Sequence, residues 1–135
     1  MYDLVIRNGK VVDGSGAPAY NADVAVNGNR IVKIGMINEA ARSEVDATGK
    51  VVTPGFIDPH THFDAQLLWD GCAKPALSHG VTTIVSGNCS LSLAPLKAKH
   101  RMKLVGMFNQ IEEMPLKAFK EGVVWDWETF TDYIT

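Results

Sequence analysis

The sequence is short of the features that mark secreted, membrane-spanning and nucleic-acid-binding chains. Its two cysteines, Cys72 and Cys89, are too few for a disulfide framework. Both are expected as free or metal-bound thiols in a reducing cytoplasm. No apolar run approaches the ~18 residues of a membrane span. The opening MYDLVIRNGK lacks a basic segment followed by a long apolar one, so no signal peptide is expected. Neither sign of charge dominates: 13 Lys and Arg face 15 Asp and Glu, and no basic stripe suggests nucleic acid. NGKVVDGSG has the wrong spacing for a phosphate-cradling loop and lies among strands. No Ser-His-Asp arrangement can be argued, and there is no internal repeat or low-complexity segment.

What is present is a 46% hydrophobic content, enough for a core in a chain near the size of one domain. The first third reads as β. In DLVIRNGKVVDGSG, short apolar runs are broken by Asn8-Gly9 and Asp13-Gly14, pairs that favour turns because both residues tolerate positive φ. A hairpin follows in ADVAV, NGN and RIVKIG, where Val24 and Val26 alternate with Ala25, and Ile31 and Ile34 flank Lys33. Residues 44–48 and Val51-Val52 predict another strand pair around Gly49. Residues 1–54 are thus expected as a small antiparallel, sandwich-like β module.

Pro54-Gly55 marks a break. Phe56-Ile57-Asp58 predicts a short buried strand running into a polar cluster, and residues 64–79 are expected to contain a helix. Five of the six residues in Val81–Ser86 are β-branched or otherwise strand-favouring, so a second strand is expected there. Leu96, Met102, Leu104, Val105, Met107, Phe108 and Ile111 recur near helical spacing. Further helices are expected over Leu116–Lys120 and Glu128–Ile134. Strands alternating with helices indicate an α/β fold with a parallel sheet. An eight-stranded βα barrel takes ~250 residues, about 31 per unit. Residues 55–135 would therefore hold roughly two to three units of an incomplete barrel.

The chemistry concentrates at two strand ends. In a strand, residues i and i+2 share a face. His60-Thr61-His62 therefore presents two imidazoles to one metal ion if the strand reaches His62, while Thr61 turns away. Asp58 is one step back on the same face, where a carboxylate could orient a ligand. A lone His-x-His is weak evidence, since such pairs occur by chance. Cys89 ends the next strand, in VTTIVSGNCS, where Gly87 and Asn88 let the backbone leave the sheet. A thiolate is a good zinc ligand and can bridge two ions, although a buried, inert thiol is the commoner fate of a cytosolic cysteine. Two neighbouring strand ends carrying such groups favour a joint site. His79 lies at the opposite end of its strand and reads as structural. His100 lies among lysines and reads as solvated, Cys72 reads as packing, and Trp125 and Trp127, flanking Asp126, read as an aromatic pair packing the last helix.

These segments together resemble the N-acyl-D-amino-acid deacylases of the metal-dependent amidohydrolase superfamily. DLVIRNGKVVDGSG and the following hairpin are similar to the start of that superfamily's composite β domain. VVTPGFIDPHTHFD is similar to its first barrel strand, HGVTTIVSGNCSLSLAP to a segment of the D-aminoacylase branch, and WDWETFTDYI to a further stretch. The resemblance implies a TIM-barrel hydrolase with one or two zinc ions. His60 and His62 would ligate one zinc, and Cys89 would be the thiolate able to bridge two. The implied substrate is a small N-acyl-D-amino acid, with no nucleic acid or membrane partner. It also implies two further histidines and an aspartate base beyond residue 135, so no catalytic base is assigned within the chain, which is expected to be inactive alone. A cyclic amidase, dihydroorotase or isoaspartyl dipeptidase type, or a non-catalytic pseudo-enzyme or assembly module pairing through an open sheet edge, remain alternative readings.

Overall fold

A computed structural model describes all residues from Met1 to Thr135. They divide into two compact units, Met1–Pro54 and Gly55–Thr135. No helix is long and apolar enough to cross a membrane.

The first unit is a single five-stranded sheet built on β1 (Tyr2–Val11). The expected hairpin forms: β2 (Tyr20–Asn27) pairs antiparallel with both β1 and β3 (Arg30–Gly35). Two expectations are corrected. Asn8-Gly9 is not a turn between strands; β1 runs through it with a bulge, Asn8 taking a φ of 60° and the register shifting between Ile6 and Gly9. A left-handed Asn accommodates the extra residue without ending the ladder. Gly9 is needed there, because a Cβ would meet Val52 Cγ2 at 2.5 Å. Nor do residues 44–48 and 51–52 pair with each other. β4 (Ala41–Asp46) and β5 (Val51–Val52) both lie parallel to β1, so the module is mixed rather than antiparallel. The connection through Ile37 makes this possible. Arg7 forks onto Glu44 at 2.6 and 3.3 Å and also donates to the Ile37 and Glu39 carbonyls. Val5, Ala25 and Ile37 form the small buried cluster of this unit.

The second unit begins with β6 (Phe56–Thr61), which pairs in parallel with β7 (Val81–Ser86). The parallel pair needs a crossover, and the chain supplies one with a 3-10 turn at Gln66–Leu68 and the short α1 (Lys74–Ser78). Gly55 abuts β7 so closely that a Cβ would lie 2.0 Å from Thr82 Oγ1. The start of β6 is not the buried strand its composition suggests. Phe56 and Ile57 are 56% and 66% exposed, and only one strand, β7, flanks them in the two-stranded sheet.

After β7 the chain forms α2 (Arg101–Ile111), α3 (Leu116–Gly122) and α4 (Phe130–Ile134). These enclose the main core, in which Phe108, Leu93 and Ala65 are fully buried beside Phe119 and Trp127. Phe108 meets Phe119 edge-on at 5.6 Å, and Trp127 stacks on Trp125 and meets Tyr133 of α4 edge-on at 5.2 Å. The Trp pair therefore packs the last helix, as its spacing implied. Trp127 Nε1 also donates to the Leu93 carbonyl at 3.0 Å, which satisfies the one polar atom of a buried indole. Cys72, by contrast, is exposed rather than packed.

Asp64 joins the loops that leave the two strands. It is only 4% exposed, and its Oδ2 accepts the Leu93 N–H at 2.6 Å. Its main-chain carbonyl accepts the Tyr133 hydroxyl at 2.7 Å. Burial pushes the Asp64 carboxyl pKa up, against the opposing effect of the Leu93 and Ser92 bonds. Its Oδ1 has no partner. Replacement by Ala should strand the buried Leu93 N–H and cost ~1–3 kcal/mol of stability. Asp64→Asn keeps an acceptor oxygen and should cost less, as read from urea midpoints of the two variants. A Phe108→Ala change should cost more than either, ~3–5 kcal/mol, through the cavity it leaves.

Candidate metal centre

The parallel register brings the ends of β6 and β7 side by side. Thr61 pairs with Ser86 and turns inward, 5% exposed, with its hydroxyl donating to the Val85 carbonyl and facing Ser86 Oγ, each at 3.3 Å. That inward turn sends His60 and His62 outward together, their ring centroids 5.4 Å apart. The strand ends at Thr61, so His62 sits one residue beyond it. Just after β7, Gly87 takes a φ of 79°, a conformation open to glycine, and the chain turns back toward β6. Asn88 Nδ2 donates to the Pro59 carbonyl at 2.9 Å and ties that turn to the neighbouring strand.

Cys89 arrives at the histidines as a result. Its Sγ lies 2.8 Å from His62 Nε2, and the ligand atoms of His60, His62 and Cys89 all lie within 4.8 Å of one another. A tetrahedral zinc with Zn–N of ~2.0–2.1 Å and Zn–S of ~2.3 Å separates its ligand atoms by roughly 3.3–3.7 Å. The His62–Cys89 pair lies closer than that and all three atoms fall within 4.8 Å, so small side-chain shifts would seat the ion, and the pairing of thiolate with imidazole suits zinc among the common divalent ions. The three residues named by the sequence are thus brought together, and their donor set and spacing fit the ion.

The electrostatics favour a thiolate. The Cys89 pKa is held down to about 7, first by the backbone N–H of Leu91, against an opposing effect of burial, then by His60 and His62. For His62, burial works against the charged form, but bonds to Glu112 and Cys89 outweigh it and raise its pKa.

Other expected roles are redistributed. Asp58 does not orient an imidazole; its Oδ1 accepts the backbone N–H of His60 at 3.1 Å, which fixes the main chain at the strand end instead. His79 stands apart, its Nδ1 donating to the Pro75 carbonyl at 2.7 Å as it closes α1. His100 is exposed in a single 3-10 turn. The residue the sequence did not offer is Glu112, whose carboxylate Oε1 bonds His62 Nδ1. It lies 50 residues from its partner, with no periodicity or motif to link them.

The thiolate state has a direct readout. In metal-free protein, the 240 nm thiolate absorbance of Cys89, isolated by difference against Cys89→Ser, should titrate with a midpoint of about 7. His62→Ala should move that midpoint upward. A midpoint at the ordinary thiol value of ~8.5 would contradict the geometry.

Comparison with known proteins follows the same lines. The amidohydrolase family profile matches residues 43–133. The D-aminoacylase of Alcaligenes xylosoxydans xylosoxydans is 42% identical over 98% of this chain, which spans 25% of that relative. The N-acyl-D-glutamate deacylase of the same organism is 46% identical over 69% of the chain and 19% of its own length. Among solved structures, a D-aminoacylase studied for its binuclear metal center superimposes with a TM-score of 0.75 at 40% identity, over 98% of this chain and 26% of the other. N-acyl-D-glutamate deacylase from Bordetella bronchiseptica, complexed with zinc and a phosphonate mimic of the tetrahedral intermediate, gives a TM-score of 0.68 at 41% identity, over 73% and 21%. The chain spans between about a fifth and a quarter of the length of these relatives. With the profile covering most of its residues, the chain belongs to the amidohydrolase family.

Proposed function

We propose that this chain carries the first part of the zinc site of an N-acyl-D-amino-acid deacylase. The observation that carries the reading is the convergence of His60, His62 and Cys89 at two adjacent strand ends, with Cys89 Sγ 2.8 Å from His62 Nε2. A thiolate in this place favours the deacylase branch, because the resemblance gives the bridging role in hydantoinase and dihydroorotase branches to a carboxylated lysine from a later strand. The relatives named for D-aminoacylase and N-acyl-D-glutamate deacylase support the same choice.

In this reading residues 55–135 are the first two to three βα units of a TIM barrel, and residues 1–54 are one part of a sandwich-like module. The exposed apolar residues Phe56 and Ile57 on β6, and Ile31 and Ile34 on β3, are the surfaces such additions would cover.

The reaction proposed is hydrolysis of the amide of an N-acyl-D-amino acid. Water adds to the acyl carbon, the C–N bond breaks, and the products are a carboxylate and the free D-amino acid. Zinc supplies Lewis-acid chemistry, activating the water and polarising the amide carbonyl. The role of this chain's residues is to hold the ion: His60 and His62 as neutral nitrogen donors, Cys89 as a thiolate whose pKa is held down to about 7. Remaining ligands and the aspartate base are assigned by the resemblance to the portion of the relatives that the chain does not span.

Metal analysis of purified protein tests the site. Zinc should co-purify with the wild type and fall at least tenfold in Cys89→Ser. The activity is tested in a polypeptide spanning the relatives' full length, which should release acetate from N-acetyl-D-amino acids and lose this with Cys89→Ser. Zinc at background in the wild type, or turnover of hydantoins but not of N-acetyl-D-amino acids, would defeat the assignment.

A further inference from the structure

We infer that Glu112, at the end of α2, is a positioning residue that fixes the tautomer and ring orientation of His62, so that Nε2 is the nitrogen offered to a metal ion. The inference rests on the metal-site reading above and adds a residue to it.

The argument starts from hydrogen-bond chemistry. An ionised carboxylate only accepts, so its bond to His62 Nδ1 requires the proton to be on Nδ1. The neutral ring then has its lone pair on Nε2, the atom that faces Cys89 at 2.8 Å. The carboxylate and the thiol approach opposite nitrogens of one ring. Glu112 therefore lies outside the triangle formed by His60, His62 and Cys89 and acts through His62. Ligating histidines generally donate their second N–H to such a partner, which raises ligand basicity and holds the ring plane.

The placement of Glu112 points the same way. It is the C-cap of α2, its backbone N–H bonded to the Phe108 carbonyl at 2.9 Å. A carboxylate at a helix C-terminus faces the negative end of the dipole, so the helix itself gains nothing from it. The chain nevertheless fixes this position firmly. Phe108, one turn earlier, is fully buried against Phe119. Asn109 Nδ2 then donates to the Met114 carbonyl at 2.9 Å, closing the turn in which Glu113 takes a φ of 53°. The His62 and Glu112 side chains are 19% and 29% exposed.

The test reads the tautomer directly. Metal-free Cys89→Ser protein, which has no thiolate beside Nε2, labelled with 15N-histidine and held at a pH above the titration of its imidazoles, should show His62 as the Nδ1–H form, assigned by the loss of its signals on adding His62→Asn. The Glu112 variants are read for tautomer in the same background and for zinc with Cys89 present. Glu112→Ala should shift His62 toward a mixture of tautomers and weaken zinc, measured by chelator competition, by ~10–100-fold. Glu112→Gln retains an accepting oxygen, so it should keep the Nδ1–H form and lose less affinity than the Ala variant. His62 of the Cys89→Ser protein found as the Nε2–H form, or equal zinc affinity in wild type and Glu112→Ala, would overturn the inference. The tautomer in the Cys89→Ser protein decides even if Glu112→Ala fails to fold. Because that measurement needs no metal, an Nδ1–H tautomer alongside wild-type protein that takes up no zinc would defeat the metal-site reading while leaving the role of Glu112 standing.

Discussion

The parallel pairing of β6 with β7 is the constraint on which the second unit depends. Parallel strands cannot be joined by a tight turn, so their register has to be set by contacts outside the connection. Here Gly55 sets the close approach at one end, where any side chain would strike Thr82. Thr61 sets the other end through Val85 and Ser86. A slip of one residue would turn His60 and His62 inward and Thr61 outward, because the side-chain period of a strand is two. The fold therefore determines which residues can meet at the strand ends.

Beyond the strands, Asp64 couples that register to the helical core. Its buried carboxylate holds Leu93, in the loop that follows Cys89, and its carbonyl holds Tyr133 of α4. Tyr133 and Leu93 both contact Trp127, one through its ring and the other through its carbonyl. A continuous set of contacts thus runs from the aromatic core to the loop bearing the thiol. Glu112 is positioned by the same core through Phe108. Ligand-bearing loops gain their geometry here from packing, the arrangement in which a site held by side chains from several elements stays in place.

Much of this was legible in the sequence. The hairpin of β2 and β3, the strand Val81–Ser86 and the helices from Arg101 onward follow from alternation, β-branching and helical spacing. The meeting of His60, His62 and Cys89 follows from the i, i+2 rule and from parallel order. What was not legible depended on long-range contact. Asn8-Gly9 has the same local preference in a bulge as in a turn, and only pairing with β2 distinguishes them. β4 and β5 look like hairpin partners until Arg7 and the Ile37 connection draw them alongside β1. The exposure of Phe56 and Ile57 reflects how few strands flank them, which composition does not encode. Asp58 did not take the expected place beside an imidazole and Glu112, which had no role assigned from the sequence, bonds His62, because a carboxylate's partner is set by where packing delivers it, not by its nearness in sequence.

The central claim is that a thiolate and two imidazoles from adjacent strand ends bind one ion. X-ray absorption at the zinc edge tests it most directly. Zinc-loaded protein should show a sulfur scatterer at ~2.3 Å together with nitrogen at ~2.0–2.1 Å, and the sulfur contribution should vanish in Cys89→Ser. A shell of nitrogen and oxygen alone in the wild-type protein would contradict the account.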